Sequence, residues 1–251
     1  MEAVSHTCKN CGHVFEKGFC NACGQKLAHR LNVHHVLHEV FHVFTHTDKG
    51  ILPFIPKIIM QPGVVALDYV AGKRKRYFNL FQYLVIVVGV VTLLVAKTNY
   101  MESVFPSLDS GPKSARVAAV TAQANAFTQQ YFNLISFALI PVFSFFCWLL
   151  FRKRKYNYAE VFVLHTCVTN QSSTVSLFLF IPITLVLPPD VGGRLQVFFI
   201  FVMMWGQALA YKQFFKTSWL RSILASIVVY IGYILVLSVL ITVVAIAIVV
   251  L

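Results

Sequence analysis

Charge is scarce in this sequence. Of 251 residues only 12% are Asp, Glu, Lys or Arg, about half the share in an ordinary soluble domain. Carboxylates are scarcer still: nine, against 21 Lys and Arg, for a formal net charge of +12. None of the nine lies deep in an apolar run, which leaves little from which to build acid–base catalysis. No GxSxG, HExxH or P-loop pattern occurs, so the common hydrolase, zinc-protease and phosphate-loop signatures are absent. Cysteine numbers six, four of them in one short pattern, which excludes a secreted disulfide scaffold. The first residues show no basic stretch leading into an apolar core, so no cleaved leader is expected.

Apolar surface is what the chain has in excess. It is 58% hydrophobic with 23 Phe, more than a globule of this size can hide from water. Disorder is excluded for the same reason. The expected fold class is an all-α polytopic membrane protein of about five transmembrane helices, with a small N-terminal four-cysteine zinc ribbon and an amphipathic interfacial helix. Three regions follow: a ribbon over 1–28, an interfacial helical linker over 29–79 and a transmembrane domain over 80–251.

Five stretches approach the roughly 20 apolar residues a crossing requires: about 80–96, 130–151, 160–187, 195–211 and 222–251. They do not alternate as barrel strands would, so they read as helices. The fourth is the shortest, and a re-entrant hairpin with the third stays open, because only Pro188 to Gly193 separates them. If all five cross, seventeen Lys and Arg fall on one side and four (Lys97, Lys113, Arg116, Arg194) on the other. By the positive-inside rule the N-terminus is cytoplasmic and the C-terminus outside. The clusters Lys73, Arg74, Lys75, Arg76 and Arg152, Lys153, Arg154, Lys155 are then placed to meet anionic headgroups. In the outer loop of about 97–129, Ser110 and Pro112 predict a helix start.

Cys8 and Cys11, then Cys20 and Cys23, form two CxxCG knuckles. Two intervening residues let both thiolates of a knuckle reach one tetrahedral ion, and the trailing glycine suits a turn with positive φ. Four soft donors favour one structural Zn2+, with no open coordination position for catalysis. Lys9, Lys17 and Lys26 make no dense basic face, so nucleic acid is not expected as a partner. His34, His38, His42 and His46 recur every four residues on one face of the expected interfacial helix. That stripe is either a second metal or pH-sensing site or simply a polar face.

The third stretch is polar at its centre. Glu160 opens it, and His165, Asn170 and Gln171 lie within it, with Gln207 in the fourth stretch as a candidate partner. Such groups must face protein or a wet cavity. They are either a solute pathway or hydrogen-bonding glue between helices. Glu160 to Leu187 is about 42 Å of helix at 1.5 Å rise, longer than a core of about 30 Å, and Pro182 is a place to kink.

Several segments together resemble a bacterial domain-of-unknown-function family of polytopic membrane proteins with an N-terminal zinc ribbon. They are Phe19-Cys20-Asn-Ala-Cys23-Gly24-Gln25, Asp48-Lys49-Gly50, Pro62-Gly63, Tyr69-Val-Ala-Gly72-Lys73-Arg74-Lys-Arg-Tyr77, and Tyr158-Ala-Glu160 with His165. Val161 stands where that family often has histidine, and Asn79-Leu80 where proline is expected. The layout is also similar to Yip1-type membrane proteins by topology. The resemblance implies a bacterial inner-membrane location and zinc, but no activity. The expected function is a non-enzymatic membrane scaffold whose zinc head docks a cytoplasmic protein, or which pairs with a second copy. The alternative is a small-solute or ion transporter.

Overall fold

The computed structural model describes residues 5–16, 18–34, 50–97, 137–187 and 189–250. His38, His42, His46 and the 97–129 loop beyond Lys97 lie outside them, as do Asp48 and Lys49. In the head, β1 (His6–Thr7) pairs antiparallel with β2 (Val14–Phe15), His6 opposite Phe15. Two-residue strands are too short to hold a fold on their own. The buried residues beneath them are Cys8, Phe15 and Cys20.

The rest of the described structure is dominated by helices. The elements α1 (Ile55–Met60) and α2 (Pro62–Val70) are one helical path broken at Gln61, whose ψ is 44°. Pro62 causes the break, because its ring disfavours helical geometry in the preceding residue and it offers no N–H. Then come α3 (Leu80–Lys97), α4 (Ile140–Phe151) and α5 (Tyr158–Val175). A π-helical turn at Ser176–Phe180 leads into α6 (Ile181–Val186), α7 (Pro189–Phe215) and α8 (Trp219–Val250). The π turn, with Ile181 N–H donating to Ser176 O, immediately precedes Pro182. A wider turn accommodates the proline ring and its missing donor.

The helix α5 is the hub, packing against α1, α2, α3, α4 and α7. Outward faces of the other helices carry large exposed apolar residues, among them Leu93, Phe201, Leu220 and Val239. Each of the five apolar stretches therefore carries a helix. Two helices contain segments long and apolar enough to cross a membrane: Val197–Phe215 and Trp219–Val239. The fourth stretch is longer than 195–211, because its helix begins at Pro189 and runs 27 residues. The polar Asp190, Arg194 and Gln196 hid that first part from a hydropathy reading. The amphipathic stretch that carries the histidine stripe lies largely outside the described residues; within 29–79, residues 55–70 form two short helices packed against α5, with α2 also against α7.

Two turns meet at one end of the bundle. Phe151 stacks on Phe215 with ring centroids 3.9 Å apart, and Tyr156 meets Phe214 at 4.5 Å. This joins the α4–α5 turn to the α7–α8 turn. Gly63 lets α2 approach α7 closely: a Cβ there would meet the Ala210 carbonyl and come within 2.9 Å of Phe214 N. Gly63→Ala should therefore destabilise the folded chain by about 1–3 kcal/mol, the usual range for overpacking. Gly89→Ala, with nothing within 4 Å of the new methyl, should not. Thermal unfolding of both variants in detergent checks this.

Candidate metal centre and its attachment to the bundle

The four cysteines of the head converge, with all four Sγ atoms within 4.8 Å of one another. Cys8 Sγ lies 3.6 Å from Cys23 Sγ, and Cys11 Sγ 3.6 Å from Cys20 Sγ. A regular tetrahedron with metal–sulfur bonds of 2.3 Å has edges of about 3.8 Å, so the donor set has the dimensions of a metal site. The two knuckles are built alike. Cys8 N donates to His13 O and Gly12 N to Cys8 O; Cys20 N donates to Gln25 O and Gly24 N to Cys20 O, all at 2.8–2.9 Å. Gly12 and Gly24 have φ of 78° and 69°, as the CxxCG spacing predicts. At Cys23, burial pushes the thiol up, but hydrogen bonds at Gln25 and Asn10 outweigh it and draw it down to about 7. These four residues could hold a metal ion.

The head is fastened to the helices at two places. At the first, Gln25 Nε2 donates to Gly72 O at 2.6 Å while its Oε1 accepts from Lys75 N at 3.3 Å. Gly72 has φ of 96°, and a Cβ on it would come within 3.0 Å of Lys9 Cδ and Ala28 Cβ, so only glycine fits. Arg74 Nη2 donates to His29 O at 3.2 Å. At the second, Arg30 Nε donates to Glu160 Oε1 at 2.8 Å and Nη2 to Lys155 O at 2.9 Å. Asn157 Nδ2 donates to Leu31 O at 2.8 Å. Asn157 and Glu160 also cap α5 reciprocally, each side chain accepting from the other's backbone N–H. This capping box satisfies two otherwise unpaired amides.

The basic clusters are accordingly not all free surface. Lys73 Nζ and Arg76 Nη1 reach Asp68 at 3.0 and 2.9 Å, and Tyr77 donates its hydroxyl to the same carboxylate at 2.7 Å. Arg152, Lys153 and Arg154 form a helical turn whose residues are not buried. Burial pushes the Asp68 carboxyl up, but the Tyr77 and Lys73 hydrogen bonds and the nearby cations hold it below the usual carboxylate range.

The polar groups of the third stretch are buried, and each donor finds a place. Gln171 Nε2 donates to Ile59 O at 2.7 Å, a carbonyl in the last turn of α1, where intrahelical partners run out. Asn170 Nδ2 donates to Leu80 O at 3.0 Å and ties the first residue of α3 to α5. Gln207 Nε2 donates to the Tyr211 hydroxyl at 2.6 Å, which lies 3.1 Å from His165 Nε2. His165 and Gln207 are thus brought together through Tyr211, which the sequence reading missed, while Glu160 stands apart with Arg30. Asn170 Oδ1 and Gln171 Oε1 are buried without a hydrogen-bond partner among the described residues. His34 is exposed.

A family described as a protein of unknown function (DUF3667) matches residues 48–92. That segment contains α1, α2, the Lys73–Arg76 turn and most of α3. The resemblance to a family of unknown function is supported there, and neither the cysteine head nor a likeness to Yip1-type proteins is part of the match. No curated protein and no solved structure matches the chain.

Two outcomes are expected. Elemental analysis of the full chain should find one metal ion, lost in Cys20→Ser and retained when His34, His38 and His42 are all changed to Ala. Two ions falling to one in the histidine variant would place a second site on the stripe. For Asp68, a carboxyl held low in the folded state stabilises above its unfolded value of about 3.9, and that stabilisation is lost as pH falls through the lower folded value. The advantage of wild type over Asp68→Asn in melting temperature should persist from about pH 8 to pH 5, begin to shrink near about pH 4 and vanish only below the lower folded value.

Proposed function

We propose that the chain is a non-enzymatic, multi-pass protein of the bacterial cytoplasmic membrane whose zinc-loaded head presents a rigid platform to a cytoplasmic protein partner. On this reading five helices cross, the N-terminus is cytoplasmic and the C-terminus is outside. The many large apolar side chains exposed on α3, α7 and α8 support a lipid surround. The basic loops at 73–76, 152–155 and 212–221 lie at the end that carries the head, in keeping with a cytoplasmic orientation. Zinc is favoured by four thiolates at tetrahedral spacing.

The observation that carries the platform reading is the double attachment of the head. A tethered ribbon would sample many orientations, whereas one held at Gly72 and at Glu160 offers a fixed face relative to the bundle. Phe19 and Val14 are large exposed apolar residues of the head, suited to a protein partner or a second copy. The transporter reading retains one supporting observation, the amide oxygens of Asn170 and Gln171, which find no partner among the described residues.

A photocrosslinker placed at Phe19 in the living cell tests the proposal. The chain should resist alkaline carbonate extraction and give a discrete crosslinked product that Cys20→Ser abolishes and Gln171→Leu leaves intact. Release of the chain by carbonate would overturn the membrane reading. A crosslink indifferent to Cys20→Ser would overturn the role of the head.

A further inference from the structure

Beside the head-bearing end lies a cleft of about 270 Å³ whose charge and walls come from residues 50–78 alone. Lys57 of α1 and Arg76 of the basic turn line it from different elements, and no carboxylate lines it among the described residues. Asp68, the acid paired with Arg76, also receives Lys73 and the Tyr77 hydroxyl. Among the described residues Lys57 has no carboxylate partner. The walls are aromatic: Phe54 lies 6.3 Å from Tyr77 and 6.5 Å from Phe78, centroid to centroid.

The two sides of the cleft are held in place rather than loosely opposed. Gln171 and Gln213 donate to the Ile59 and Met60 carbonyls and fix the end of α1. Phe54 and Phe78 are buried, and Tyr83 meets Phe54 edge-on at 5.0 Å. Two cationic side chains lining one space are suited to an anion, with Arg76 also bonded to Asp68 through Nη1. The volume is below the roughly 300–1,000 Å³ of pockets that enclose drug-sized ligands, so the anionic group is small. Apolar walls next to cations suit a ligand that is charged at one end and greasy at the other. The helix that follows, α3, exposes Val85, Ile86, Val90 and Leu93, a surface along which acyl chains can lie.

We propose that this cleft holds the phosphate of an anionic phospholipid, with Lys57 and Arg76 on the phosphate and Phe54, Tyr77 and Phe78 against the glycerol. The assignment builds on the membrane reading above and adds a defined headgroup site to it. It differs from general attraction of basic loops to a charged surface in that Lys57, a residue outside both basic clusters, is required.

The test is native mass spectrometry of the full chain in detergent with short-chain phosphatidylglycerol, phosphatidylcholine or inorganic phosphate added. Phosphatidylglycerol should bind at one molecule per chain and phosphatidylcholine should not. Lys57→Gln should weaken binding about fivefold, the effect of losing one cation near a headgroup. Lys57→Arg should restore it, and Lys153→Gln should leave it unchanged. Equal retention by Lys57→Gln, or equal binding of phosphatidylcholine, would overturn the site. Displacement by equimolar inorganic phosphate would assign the cleft to a soluble anion and overturn the lipid. A chain that carbonate releases fails the membrane reading whatever this experiment shows.

Discussion

A carboxylate buried at the start of a central helix cannot be left without partners. Glu160 is 4% exposed, and an uncompensated charge in such a place costs several kcal/mol. Arg30, 130 positions earlier, supplies the counter-charge at 2.8 Å, while the Asn157 amide occupies the other oxygen at 2.9 Å. The same contact therefore fixes three things: where α5 begins, how the Arg152–Lys155 turn is folded back, and where the cysteine head sits. Because α5 touches most of the other helices, the orientation of the head is tied to the core of the bundle. Much of the Arg30 side chain remains exposed, so its contribution is one of position more than of raw stability.

A similar logic governs the interior. Pro62 breaks the α1–α2 path, and the chain enters α3 at Leu80 after an irregular turn. The break at Pro62 releases backbone carbonyls that lipid or an apolar core could not satisfy. Gln171 and Gln213 reach those carbonyls, and Asn170 holds the entry to α3 in place. The polar run of α5 is thereby explained as the complement of irregular backbone packed against it. A continuous helix in place of α1 and α2 would not have needed the two glutamines.

Much of this was legible from local pattern. The CxxCG knuckles specify their own geometry within five residues, and the structure has the expected positive φ at Gly12 and Gly24. The helical stretches followed from apolar runs, and Pro182 marked the irregular turn. The run from His165 to Thr174 had to face protein or a wet cavity, and His165, Thr166, Asn170, Gln171 and Thr174 are buried among the helices. What escaped were partners distant in sequence: Arg30 with Glu160, Gln25 with Gly72, and Tyr211 with His165. Asn157-x-x-Glu160 is a capping-box signature that a closer reading would have found, and it would have given Glu160 a role without invoking a site. The extent of α7 was obscured by polar residues in its first turns, which hydropathy penalises although a helix tolerates them.

The cysteine head is fixed to the bundle through Gly72 and Glu160 and is not a loosely tethered module. The most direct test of this is a spin–spin distance between nitroxide amino acids placed at Glu16 in the head and Lys153 in the α4–α5 turn, in the metal-loaded full chain. One narrow distance distribution is expected, broadening in Arg30→Met. A broad distribution in the unaltered protein, unchanged by Arg30→Met, would contradict the attachment and with it the rigid platform.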